Sequence, residues 1–253
     1  MHPVAALRRL WKLTWLEFRI FVREPLGLVG SVFVPVVLFI ILARVLGPKA
    51  GVAPDVAPRF GQALPAFSAL TIAMNAAISL VTIVSIYRES GVLKRLRATP
   101  LGPLGVLSAH VAVKLVLTAI TLAALGLAGR PFYPVGPDVP FLSFGVAVLF
   151  ATWSIVSIGF VIASLVPTAR FAQPFASFIL YPMLAVSGLF APLSSLPDAV
   201  EAVVRRLPLT AAASLLDGVW RGEGWVAHGS DVVTLVATFL VCMVVSSKVF
   251  RWE

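Results

Sequence analysis

Apolar residues run along this chain in stretches of about twenty, the length of helix needed to cross a bilayer core of about 30 Å. Six such stretches stand out: Leu26–Leu46, Leu64–Ile86, Leu104–Ala128, Pro140–Val166, Phe171–Phe190 and Asp231–Ser247. Helix is the reading that fits them, because main-chain polar groups in lipid must be paired within the segment. The alternation of strands in a barrel is absent. Before the first stretch, residues 5–24 follow a different pattern. At 100° per residue, Arg8, Arg9, Lys12, Arg19 and Arg23 share one stripe, while Leu7, Leu10, Trp11, Trp15, Phe18, Phe21 and Val22 gather on the other side. This two-faced pattern predicts a helix over residues 1–25 lying in the headgroup layer. The helix is a simple topology anchor or also a lateral brace touching a partner; the pattern fits both. Pro35, Pro174 and Pro182 fall inside the first and fifth stretches and predict kinks there.

Composition agrees with lipid. Of 253 residues, 59% are hydrophobic and 12% charged, with mean hydropathy +0.99. A soluble domain keeps about a quarter of its residues charged, so most of this surface faces something other than water. Net charge is +9, but the basic residues sit in short blocks between apolar runs, a topology signal rather than a nucleic-acid surface. With the N-terminus inside, the inner segments hold 12 Lys and Arg, among them Arg8, Arg88, Lys94, Arg95, Arg97, Arg170 and Lys248. The outer segments hold 6: Lys49, Arg59, Arg130, Arg205, Arg206 and Arg221. Both termini are therefore expected in the cytoplasm. The Pro/Gly-rich stretches 47–61 and 129–140 become outer loops. Residues 1–25 lack the compact apolar segment and cleavage site of a secretory leader, so the first span is expected to act as the insertion signal. One cysteine, Cys242, lies in an apolar run and excludes a disulfide within the chain.

The segment between the second and third spans carries the clearest functional signal. In residues 87–101, Val92, Leu93 and Leu96 form an apolar strip at helical spacing, with Lys94, Arg95 and Arg97 pointing elsewhere. Thr99 precedes Pro100, which ends the helix. A short helix held parallel to the membrane by two spans can seat its apolar strip in another protein's groove and surround it with charge. A loop that only sets topology would also be basic.

Here the sequence resembles the coupling-helix segment of ABC-2 type permeases, the membrane subunits of bacterial and archaeal ABC exporters. The residues that carry the likeness are Glu89-x-Gly91-x-Leu93-x-Arg95-Leu96-x-x-Thr99-Pro100-Leu101. A second stretch, Ser187-Gly188-x-Phe190-x-Pro192-Leu193-x-x-Leu196-Pro197 followed by Leu207-Pro208-Leu209-Thr210, resembles the family's re-entrant pair of short helices after the fifth span. The order of elements also matches. The resemblance implies an all-α integral membrane fold, one domain over 1–253, with six transmembrane helices, an N-terminal interfacial helix, a cytoplasmic coupling helix over 88–99 and an outer hairpin over 191–210. It implies a dimeric permease for drug, lipid, glycolipid or polysaccharide export in a prokaryotic plasma membrane. The second permease chain would be identical or related, and two copies of a separate ABC ATPase would bind beneath. Glu89, Gly91, Leu93, Lys94, Arg95, Leu96, Thr99 and Pro100 would form the ATPase-coupling element. ATP and Mg would be held by the partner, with no cofactor, metal or catalytic residue on this chain.

Other features are weighed beside that reading. No GxxxxGK[ST] phosphate loop, HExxH or GxSxG occurs, and His2, His110 and His228 lie far apart in the layout. His110 and Lys114, one turn apart on the third span, are an intramembrane ionisable pair. Lys114 is expected to snorkel to the inner interface; the alternatives are the substrate path or pairing with another helix. On the second span, Thr71, Asn75 and Ser79 form a polar stripe that serves helix contact or lines the path. A six-span secondary transporter or channel without an ATPase is the alternative function, and it would need ionisable groups or broken helices at mid-membrane.

Overall fold

The structure is a computed structural model that describes residues 3–23, 25–46, 63–74, 79–96, 102–129, 140–166, 168–188, 193 and 196–249. Among the described residues every regular element is helical. In chain order they are α1 (Pro3–Val22), α2 (Pro25–Leu28), a π-helical turn (Val29–Phe33), α3 (Val34–Leu46), α4 (Ala63–Thr71), α5 (Ser79–Glu89), α6 (Val92–Leu96) and α7 (Gly102–Gly129). There follow α8 (Phe141–Leu165), α9 (Ala169–Val186), α10 (Asp198–Val204), α11 (Pro208–Trp220), α12 (Gly224–Ala227) and α13 (Gly229–Val249).

Three helical stretches among the described residues are long and apolar enough to cross a membrane: Gly105–Ala128, Phe141–Leu165 and Gly229–Ser246. They coincide with the third, fourth and sixth expected spans. The other three take less regular forms. The first is continuous over 25–46 but changes winding in the middle. The second comes as two pieces, α4 and α5, around 75–78, which lie outside the described residues. The fifth is α9, which ends at Val186 rather than 190. The expected outer loops at 47–61 and 129–140 also lie almost wholly outside the described residues.

The change of winding in the first span has a local cause. Pro35 has no N–H to give the carbonyl one turn earlier, that of Ser31. Ahead of the proline the helix widens by one residue, with Val34 N–H reaching the Val29 carbonyl. The Ser31 carbonyl accepts from Thr121 Oγ1 of α7 at 3.3 Å, a hydroxyl that also reaches its own Leu117 carbonyl at 2.9 Å. A neighbouring helix thus brings a hydroxyl to the carbonyl whose usual N–H partner is replaced by proline. By contrast, α9 runs as one helix through both Pro174 and Pro182.

The bundle is built round α8, which packs against α5, α9, α11 and α13. Its apolar window is 61% buried, whereas that of α13 is only 6% buried and turns Val233, Val236, Leu240, Val241, Met243 and Val244 outward. The core joins Ala147, Ala151 and Ile155 of α8 to Leu180 of α9, Leu209, Leu215 and Leu216 of α11, and Leu235 of α13. The small side chains of α11 at Ala211, Ala212 and Ala213 bring it deep into the bundle. Over the range 191–210, expected as an outer hairpin, the structure describes α10 and the start of α11, and α11 runs on, mostly buried, ten residues past that boundary to Trp220.

The two ends of α8 mark two ends of the molecule. Near its start, Phe141 and Phe144 pack edge-on to Trp220, and Ser143 Oγ accepts from Trp225 Nε1 at 2.8 Å. Near its finish, Ala163 and Ser164 meet the α5–α6 segment. At 1.5 Å per residue the two sets lie about 30 Å apart, a bilayer core's thickness.

Candidate functional site: the α5–α6 hairpin and its braces

At its last turn α5 closes in the way helices commonly end at glycine. Ser90 N–H bonds the Ile86 carbonyl at 2.9 Å and Gly91 N–H the Arg88 carbonyl at 3.1 Å. Gly91 has φ +66°, the left-handed conformation that a residue with Cβ adopts at a cost. The chain then turns straight into α6, whose first turn closes with Arg95 N–H on the Gly91 carbonyl at 3.2 Å. The Arg95 guanidinium folds back to the Ser90 carbonyl at 3.1 Å. Lys94 and Arg95 are exposed. The glycine that the sequence motif marks is therefore the hinge between α5, of 11 residues, and the shorter α6, of 5.

Two charged residues fasten this hinge to the rest of the bundle. Arg88 donates to the carbonyls of Ala163 at 3.0 Å and Ser164 at 3.1 Å, the free acceptors at the end of α8. Glu89 Oε2 accepts the Ala169 N–H at 2.6 Å, a free donor at the start of α9. Thr168, at the capping position of α9, makes no side-chain cap, so Glu89 takes that place from 80 residues away. Both signs are right for the helix ends: cation at the C-terminus, anion at the N-terminus. The expected coupling residue Glu89 thus has a partner inside the chain, and Arg88, unmarked by the motif, is its counterpart.

The legs of the hairpin meet a third element. Tyr87, at the foot of α5, places its hydroxyl 3.0 Å from His110 Nε2 on α7, with the two rings 5.3 Å apart. The same Nε2 lies 3.5 Å from Glu17 Oε1 of α1. One turn further along both helices, Lys114 Nζ sits 4.4 Å above the Phe21 ring. One turn earlier, Leu13 reaches the open side of Gly105. Contacts that advance by about one turn on each helix mean that α1 runs alongside the start of α7 in the same direction.

These contacts revise two expectations. Lys114 does not snorkel: it is 3% exposed, enclosed beneath α1. Helix α1 also has three faces rather than two. Leu10, Leu13, Thr14, Glu17, Phe18 and Phe21 are sheltered, whereas Trp11, Trp15 and Val22 of the expected apolar side point outward with the basic stripe. Burial pushes the Glu17 carboxyl above its ordinary value. It is the only acidic side chain in α1, and that isolation is the signal that could have found it.

The remaining expected residues divide by position. Leu93 and Leu96 are on α6 by their backbone, and Thr99 and Pro100 lie outside the described residues. Thr71, the last residue of α4, is fully buried, and its hydroxyl has no partner among the described residues. Ser79 opens α5, and Asn75 lies outside the described residues.

Among curated proteins, none matches this chain. A comparison with protein families matches residues 8–219 to the ABC-2 type transporter family. That range takes in most of α1, the α5–α6 hairpin and nearly all of α11. The chain belongs to the ABC-2 type transporter family: it is a multi-pass membrane permease component of an ABC transporter and not itself the catalytic subunit.

Proposed function

We propose that this chain is the membrane-spanning subunit of an ATP-driven exporter and that residues 88–99 receive the mechanical work of a separate ATPase. The observation that carries this reading is the double fastening by Arg88 and Glu89. A load applied to α6 passes through Gly91 to α5, and through two charge-assisted contacts to the end of α8 and the start of α9. Tyr87 and His110 tie the same base to α7 and, through Glu17, to α1. Five helices would then move with one short surface element, which is what a coupler requires.

In this reading Leu93 and Leu96 dock in a groove of the ATPase, while Lys94 and Arg95 orient the contact. Thr99 and Pro100 close the coupling segment. ATP and Mg stay on the partner, present in two copies beneath two permease chains, identical or related. The termini and α6 lie on the cytoplasmic side, as the distribution of Lys and Arg supports. Helices α10–α12 lie on the outer side of six spans in a prokaryotic plasma membrane. The apolar spans suit an amphipathic or lipid-like cargo, moved outward. Where Thr71, Asn75 and Ser79 touch that path, they do so from the α4–α5 span.

The alternative of an ion-coupled carrier draws little support from His110 and Lys114, since both face α1 rather than an open cavity. The deciding experiment is Leu96→Asp in the complex with its ATPase, reconstituted in vesicles. The expected result is normal membrane insertion, ATP hydrolysis largely retained and transport lost. Unchanged transport by this variant would refute the coupling role of α6.

A further inference from the structure

At the opposite end of α8, four polar side chains converge where α11 turns into α13. His228 Nδ1 lies 3.0 Å from Asp231 Oδ2, and His228 Nε2 lies 3.0 Å from Glu223 Oε2. Ser214 Oγ of α11 donates to the same Asp231 oxygen at 2.7 Å and stands 3.4 Å from His228 Nδ1. The ring rests directly on α11 at Gly218, where a Cβ would fall 1.7 Å from Nε2. Around this group, Arg221 pairs with Asp217 and lies 3.6 Å from Glu223. The ring is 14% exposed and Asp231 15%, while Glu223 stands at the rim at 44%.

Hydrogen-bond chemistry decides the state of the ring. Both of its nitrogens face carboxylate oxygens, and ionised carboxylates only accept. A neutral imidazole has one N–H, so one of the two contacts would set a lone pair against an oxygen. The imidazolium has two N–H groups and satisfies both. We propose that His228 is a proton-binding clasp: charged, it joins the start of α13, through Asp231, to the turn that follows α11, through Glu223, and neutral, it releases one of these holds. Nothing in this proposal depends on an ATPase, so it stands or falls apart from the coupling reading.

The charged groups around the ring are Asp231 on α13, Glu223 in the turn, and Asp217 and Arg221 at the end of α11. Burial opposes charging His228, but the hydrogen bonds to Asp231 and Glu223 outweigh it and lift the ring above its ordinary 6.5. A raised value means that the clasp's contribution is complete below about 6.5 and fades as pH rises through the lifted value. Glu223 is held below its ordinary value by the His228 hydrogen bond and by Arg221, which keeps it an acceptor throughout that window.

The test is a titration of the full chain in lipid nanodiscs with 15N-labelled histidine, read by NMR between pH 5 and 9. There are three histidines, and His228→Gln identifies the resonance. The expected result is a His228 midpoint above 6.5, falling by at least half a unit in Glu223→Gln, a rim substitution that leaves the packing untouched. The thermal midpoint of the wild type should drop several degrees more than that of His228→Gln between pH 6 and 9. A His228 midpoint at or below 6.5, or one that Glu223→Gln leaves in place, would overturn the clasp. So would equal pH profiles of thermal stability for the wild type and His228→Gln.

Discussion

The two ends of α8 are held by opposite means. At Ala163 and Ser164, charged side chains seize main-chain groups at the ends of helices. At the Ser143 end, side chains hold one another: Trp225 on Ser143, Trp220 on Phe141 and Phe144, and the histidine clasp beyond. Helix-end main-chain groups cannot be mutated away or titrated near neutral pH. The first arrangement therefore stays fixed across that pH range. The second includes a ring whose charge decides how many holds it makes, so it can loosen without breaking the bundle.

Breaking each end in turn sharpens this contrast. The largest effect is expected from Arg88→Ala, which leaves two helix-end carbonyls without their cation and should cost about 2–3 kcal/mol. Thermal unfolding of the purified chain measures that loss, which should be the same at pH 6 and pH 8. Gly218→Ala comes next. Its methyl displaces the His228 ring, at about 1–3 kcal/mol, and it should also flatten the pH dependence that Arg88→Ala leaves intact. Glu89→Ala removes an exposed cap from α9, costing about 1 kcal/mol. In the coupled system that variant should lower transport per ATP hydrolysed more than stability alone explains. Between Gly218→Ala and Glu89→Ala lies Gly91→Ala, at about 1–2 kcal/mol for a left-handed residue gaining Cβ. If Gly218→Ala and Arg88→Ala gave the same pH profile, the distinction between the two ends would fail.

Much of the fold was legible because lipid imposes a length rule that sequence displays openly. The runs that became α7, α8 and α13 could be read from apolar residues alone. Less legible was whatever depended on which neighbour a helix meets. In α1 the apolar positions were clear, but periodicity cannot say that Phe18 and Phe21 shelter against protein while Trp11 and Trp15 turn outward. Nothing near Val29–Phe33 in the sequence marks the contact of its Ser31 carbonyl with Thr121, 90 residues away. The extent of α11 was masked by Pro208 and the Leu-Pro turns around it, which read as a short hairpin.

The candidate site divides in the same way. The place of α6 was readable from Gly91, the Val92–Leu96 strip and Pro100. The fastening by Arg88 and Glu89 was not, because its partners are backbone atoms 75 to 80 positions distant, which carry no side-chain signature. His228 was set aside because no other histidine lay near it, yet its partners are carboxylates three and five residues away. Local spacing held that information; looking only for metal-binding companions hid it.

The most direct measurement places the two ends on opposite sides of the membrane and asks what touches α6. Lys94→Cys and Glu223→Cys would each be made in a Cys242→Ala background and expressed with the ATPase partner. The expected result is that a membrane-impermeant maleimide labels residue 223 in intact cells and residue 94 only after permeabilisation. A bifunctional reagent should then join residue 94 to the ATPase. Labelling of residue 94 from outside, or the absence of any cross-link from it in an actively transporting complex, would contradict the account.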